Sequence, residues 1–265
     1  MAVLKYKDDN DNWQPLTYLK VKEFNDHTGA YKVSSVQEMN AITDMENGDV
    51  CVVEIGSRLP NGYTEVEYLE STGTQYIDTG YKPYKTRTEL KFAYNNTTNP
   101  QLIGGVYDYS RDVFYYLPDM NFKLSGKIAI RDTGRTTLYS ENANTNIHVV
   151  RYNENGKVYY DNIYVGNVNN LSGTTPQNLY LFANRGSSGA DIKAYAKIYY
   201  CKIWDNGTLI RNYVPCIRIS DNVVGMYDLI NDVFYTNVGS GTFIAGETVY
   251  MYDIYKYNGT SWVEV

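Results

Sequence analysis

Three carboxylates stand close together in TEVEYLE, at Glu65, Glu67 and Glu70. Retaining glycoside hydrolysis needs two carboxyl groups about 5–5.5 Å apart across a cleft. On a strand, Glu65 and Glu67 would share one face and Glu70 the other. The third acid is out of phase, so a solvated strand face is the preferred reading and no catalytic residue is assigned. No nucleophile elbow or phosphate loop is present. His27 and His148 are the only histidines, and neither has a Cys, Asp or Glu at ligand spacing. Neither a metal nor a cofactor is expected. Cys51, Cys201 and Cys216 form no CxxC and read as small buried apolar side chains, with a Cys201–Cys216 bridge as the alternative.

Binding chemistry has more to draw on, because the chain holds 29 Tyr against 7 Phe and 3 Trp. Aromatic faces stack on sugar rings, while Asn, Asp and Arg bond hydroxyl groups. The candidates are Tyr107-Asp108-Tyr109, Tyr115-Tyr116 and Asn184-Arg185; each taken singly reads first as structure. GVYDYSRDVFY (105–115) is echoed by GMYDLINDVFY (225–235). The shared spacing Tyr-Asp-x-x-x-Asp-Val-Phe-Tyr is a hairpin recipe, with Asp accepting backbone N–H bonds at the turn. A paired-Asp calcium site is the sharper alternative.

The elements that would position these residues are strands. Stretches such as Thr86–Tyr94 alternate, with Leu90, Phe92 and Tyr94 on one face and Arg87, Glu89 and Lys91 on the other. Turn signals recur every eight to twelve residues, among them Asn153-Glu154-Asn155-Gly156, Asp205-Asn206-Gly207, Asp221-Asn222 and Gly239-Ser240-Gly241. That spacing predicts an all-β, antiparallel, two-sheet jelly-roll sandwich, with Thr64–Leu69 among its short strands and Pro215 at the start of a strand. The flanks differ. Tyr6 and Trp13 bracket a polar turn, Tyr18–Phe24 reads as a strand, and Asp26–Gly29 as a turn. A short helix over Val36–Ile42 is capped by Ser34 or Ser35 with Glu38 completing a capping box. Tyr257-Asn258-Gly259 through Trp262 repeats the N-terminal design. Strand Val50–Ile55 lacks a partner that Val249–Tyr257 would supply. We therefore expect the jelly roll, 57–246, to be inserted in a small β-rich domain made of 1–56 and 247–265.

A net charge of −6 and a pI near 5.0 disfavour a nucleic-acid partner. No apolar run is long enough for a membrane span, so membrane insertion is not expected. MAVLKYKDDNDN has no signal-peptide pattern. The expectation is synthesis in a cytoplasm, without export by the ordinary signal route.

LPNGYTEVEYLESTGTQYIDTGY (59–81), LFANRG (181–186), KIYYCKIWDNGTLIRNYVPC (197–216) and the run to Gly246 resemble concanavalin-like or laminin-G-like jelly-roll modules. Such modules are common in fibre, tail and other virion proteins of phages infecting gut bacteria. The flanks are similar to small modules of the same class of proteins. The resemblance implies a non-enzymatic virion structural protein: a head-fibre, tail-fibre, tail-associated or capsid-decorating subunit. It would adhere to a host-surface glycan and contact other virion proteins. Its ends would form a docking or oligomerisation domain, and the subunit a homo-oligomer, a trimer by analogy. A glycan depolymerase and a ligand-free spacer are the other readings.

Overall fold

The computed structural model describes residues 5–7, 13–15, 30–83, 86–97, 101–108, 113–119, 127–131, 137–168, 177–186 and 188–264. The chain divides into two units, Met1–Arg58 with Tyr250–Val265, and Leu59–Val249.

In the smaller unit the apolar strand Val50–Gly56 lies in the middle of a four-stranded sheet. Met251–Tyr257 pairs with it antiparallel on one side and Ala30–Val33 parallel on the other. Trp262–Glu264 closes the C-terminal hairpin, with Tyr257 opposite Trp262. Asn258 Oδ1 accepts the N–H groups of Thr260 and Ser261 at 3.0 and 2.9 Å, which fixes that turn. The helix is Val36–Asn40, shorter than expected. Ser35 Oγ accepts the Glu38 N–H at 3.2 Å, and the Glu38 carboxylate reaches back to the Ser34 N–H at 2.8 Å. The bonds from the Ser34 N–H and hydroxyl hold the Glu38 carboxyl below its ordinary value. Val33, Met39, Ile42, Cys51 and Val53 form the unit's core. Lys5–Lys7 pairs with Trp13–Pro15, Lys7 opposite Trp13. The expected strand Tyr18–Phe24 and turn Asp26–Gly29 lie outside the described residues.

The larger unit consists of two sheets. One runs Thr137–Asn142, Lys127–Arg131, Val113–Asp119, Gly104–Asp108, Tyr180–Leu181, Ile77–Asp78, with the hairpin Asn184–Gly186/Gly189–Asp191 attached to Gly104–Asp108. The other runs Ile163–Asn167, Lys157–Tyr160, His148–Glu154, Arg87–Tyr94, Tyr195–Asp205, Thr208–Arg218, Val223–Asp228, Val233–Thr236. Pairing is antiparallel throughout except between Asn184–Gly186 and Gly104–Asp108. Ile77, Val106, Ile130 and Leu181 of the first sheet share one core with Leu90, Phe92, Tyr152, Ile198 and Tyr213 of the second. Two sheets that share one core are compatible with a jelly-roll sandwich. Along Arg87–Tyr94 the expected alternation holds: Thr88, Leu90, Phe92 and Tyr94 are buried, Arg87, Glu89 and Lys91 half-buried.

The two bracketing motifs lie side by side. Ile244–Ala245 pairs with Leu69–Thr72, and Tyr63–Glu65 with Thr208–Arg218. Val249 donates to Glu65 O and Glu67 to Glu247 O, at 2.9 and 2.8 Å, so residues 247–249 belong to the larger unit. Two expectations need correction, and one strand is new. Thr64–Leu69 is not one strand but breaks after Glu65, leaving an isolated bridge between Val66 and Thr248. Pro215 does not start a strand but sits inside Thr208–Arg218, where the neighbour changes from Tyr195–Asp205 to Tyr63–Glu65. Its carbonyl accepts the Val66 N–H at 3.0 Å, and the N–H it lacks falls in the gap between those neighbours. Ile163–Asn167 was not anticipated as a strand; it follows a two-residue turn with Asp161 and Asn162 at φ 47° and 68°.

All three cysteines are buried free thiols; Cys201 faces Tyr213 across the ladder while Cys216 faces Glu65, so the two are out of bridging register. Burial pushes Cys51 up to about 11 and Cys216 to about 12, and raises Cys201 as well. A raised thiol keeps its proton until the pH passes that value, so almost no reactive thiolate exists near neutrality. Iodoacetamide at pH 8 is expected to leave the native chain unlabelled and to label all three cysteines in guanidinium. Native labelling of any one, followed by intact mass, would contradict this burial.

Candidate functional site

The repeated motif forms the same hairpin twice. Asp228 faces Val233 and Tyr227 faces Phe234; in the earlier copy Asp108 faces Val113 and Tyr107 faces Phe114. In the later copy the reason is visible. Asp228, fully buried, accepts the N–H groups of Asn212 and Ile230 at 2.9 and 3.1 Å and the Asn231 amide at 2.6 Å. Arg211 Nε stands 3.5 Å away. With its oxygens engaged by donors, this carboxylate does turn chemistry. No cluster of metal-ligating side chains occurs among the described residues.

The binding candidates collect on the smaller sheet of the larger unit. Gly105 stands opposite Tyr116 on one side and Tyr180 and Asn184 on the other; Val106 stands between Tyr115 and Arg185. Tyr107 and Asp108 belong to this strand rather than to a loop. Tyr109 lies outside the described residues. Asn184 is fully buried, which corrects its expected role as an exposed hydrogen-bonding group. Its Nδ2 donates to Asp191 Oδ1 at 2.6 Å and ties the short hairpin together, while Oδ1 has no partner.

Arg185 is half-buried and accessible, and it leads to residues that sequence reasoning missed. Its guanidinium lies 5.6 Å from the centre of the Tyr180 ring. Tyr180 stacks on Tyr76 at 4.9 Å with the planes 26° apart. Lys193 Nζ stands 5.8 Å from the Tyr76 ring centre. The result is a row Arg185–Tyr180–Tyr76–Lys193, edged by Asp78, which accepts the Asn178 amide at 2.9 Å. Burial, then the neighbouring Asp78 carboxylate, raises the Tyr180 hydroxyl above its ordinary value. Neither Arg185 nor Lys193 has a carboxylate partner among the described residues. The signal available in the sequence was TQYID: Gln75 and Ile77 point inward, which leaves Tyr76 and Asp78 on the other face. Its pairing with Tyr180, far along the chain, was not readable. The backbone around the row is held in a rare conformation. Phe182 has φ 64° and Ile192 φ 39°, on either side of the hairpin that carries Arg185. Left-handed backbone at a bulky or β-branched residue is uncommon and collects at functional sites.

The larger sheet also has a half-buried aromatic face, on which Lys197 and Arg87 already have carboxylate partners. Lys197 lies 4.2 Å from the Tyr68 ring centre and 3.6 Å from Glu70. Arg87 lies 4.1 Å from the Trp204 ring centre and pairs with Glu89 and Glu154 at 3.2 and 3.0 Å. The Tyr200 hydroxyl donates to Glu89 at 3.0 Å. Glu70 also accepts the Asn95 amide at 2.8 Å. Glu65 is buried at the end of its strand and Glu67 lies beyond it, so the two do not share one strand face as expected. No family model, curated protein or solved structure matches this chain.

Proposed function

We propose that this chain is a phage virion structural protein, a fibre, tail-associated or capsid-decorating subunit. Its larger unit, as a jelly-roll module, adheres to a host-surface glycan. Its smaller unit serves docking within the particle and assembly of a homo-oligomer, a trimer by analogy with the modules it resembles. The observation that carries the glycan reading is the Arg185–Tyr180–Tyr76–Lys193 row. Tyr76, half-buried and backed by the buried Tyr180, offers an apolar plane for a sugar ring, and Asn178 and Asp78 supply hydrogen-bonding groups beside it. Two cations without carboxylate partners favour an acidic sugar.

Surface plasmon resonance on immobilised alginate and dextran tests this reading. The intact chain is expected to bind alginate more tightly than dextran, and more weakly as salt rises. Tyr76→Ala is expected to weaken binding about 10- to 100-fold, the range for loss of an aromatic anchor. Lys193→Ala should weaken alginate binding and flatten the salt dependence. Alginate binding unaffected by either change would remove the row from the adhesion surface.

A further inference from the structure

A cleft of about 550 Å³ lies between the turn at Asp221–Asn222 and the loop Asn237–Thr242. That is within the size range of small-ligand sites. Its lining mixes apolar Val224 and Phe243 with the hydroxyls of Thr236 and Thr242. The one charged residue in it, Asp221, is already paired with Arg218 at 2.7 and 3.0 Å. Apolar surface beside hydroxyls, with no unpaired charge, suits a neutral sugar ring, which has an apolar face and a polar edge.

The wall of this cleft is built in advance. Asn237 Oδ1 accepts the N–H groups of Tyr76 and Gly239 at 3.1 and 2.8 Å, and its Nδ2 donates to Gly241 O at 2.8 Å. Val238 donates to Tyr76 O at 2.9 Å. Thr74 Oγ1 donates to Ser240 O, and Gln75 Nε2 to Thr242 O, both at 2.9 Å. Gly239 is required here: a Cβ would lie 2.1 Å from Thr74 O and 3.1 Å from Tyr76 Cδ1. The loop is thus pressed directly against Tyr76, the residue at the centre of the aromatic row. A preformed wall lowers the ordering cost of binding.

We propose that the cleft is a second sugar subsite, joined to the aromatic row through the loop Asn237–Gly241. The ligand is then an oligosaccharide that sets an acidic sugar at the row and a neutral sugar in the cleft. This rests on the adhesion reading above and adds the length and composition of the glycan. Hyaluronan oligosaccharides, in which acidic and neutral sugars alternate, are the probe, in lengths from two to eight sugars. Affinity is expected to rise at least tenfold from disaccharide to hexasaccharide and then level off. Thr242 is exposed, so Thr242→Trp fills the cleft without disturbing the core. It should abolish the rise with length, so that the octasaccharide binds no more tightly than the disaccharide. Tyr76→Ala should weaken every length. Affinity that does not change with length, a rise that persists in Thr242→Trp, or no binding at any length would overturn the two-subsite inference. Alginate binding that depends on Tyr76 would leave the adhesion reading standing in each of those cases.

Discussion

Asp228→Ala is expected to destabilise the larger unit by about 3–5 kcal/mol, the usual cost of removing one member of a buried charged network. The loss has several parts. The N–H groups of Asn212 and Ile230 lose their acceptor, the Asn231 amide loses its 2.6 Å bond, and Arg211 loses its counter-charge. Leaving buried donors unsatisfied is the expensive step. For a domain of this size about 2–4 °C accompanies each kcal/mol, so calorimetry should record a fall of about 6–20 °C in the larger unit's transition. Asp228→Asn keeps an acceptor oxygen and should cost markedly less. A fall of under 2 °C for the alanine variant would mean that this carboxylate does not hold the hairpin.

Phe92→Ala is expected to cost about 3–5 kcal/mol, the range for deleting a fully buried aromatic. Phe92 is fully buried, with its ring 5.3 Å from Tyr94, 5.9 Å from His148 and 6.4 Å from Tyr160. It sits between the strands of His148 and Ile198, where neither neighbour can collapse into the space without breaking the ladder. Lys91→Ala, one residue away on the solvent face, is the control and should change stability by no more than about 0.5 kcal/mol. Equal effects from the two would contradict the assigned inside and outside of this strand. Urea denaturation monitored by tyrosine fluorescence distinguishes the outcomes.

What could be read from the sequence was local. The period of two along Arg87–Tyr94 marked which side chains enter the core, and Asn206-Gly207, with φ 46° and 83°, marked a hairpin. The spacing around Asp228 predicted turn chemistry because the donors it serves lie on the same hairpin and the strand beside it. The capping pair Ser35 and Glu38 was readable for the same reason. What escaped was non-local. Asp161-Asn162 makes a tight turn without glycine, so Ile163–Asn167 went unnoticed. The break at Val66 depends on Thr248, and the neighbour change at Pro215 on two separate strands. Within the candidate site, Arg185 could be selected by type, but Tyr76, Tyr180 and Lys193 join it only through pairing between distant segments. Asn184 was chosen for its amide; its burial against Asp191 follows from the short hairpin, which no alternation announces.

The proposed adhesion runs through the row Arg185–Tyr180–Tyr76–Lys193. A glycan array probed with the intact chain, beside Tyr76→Ala checked for an unchanged core by near-ultraviolet circular dichroism, tests it most directly. Binding to a group of acidic glycans is expected, with a loss of at least tenfold in the variant. Binding to no glycan, or binding that the variant retains in full, would contradict it.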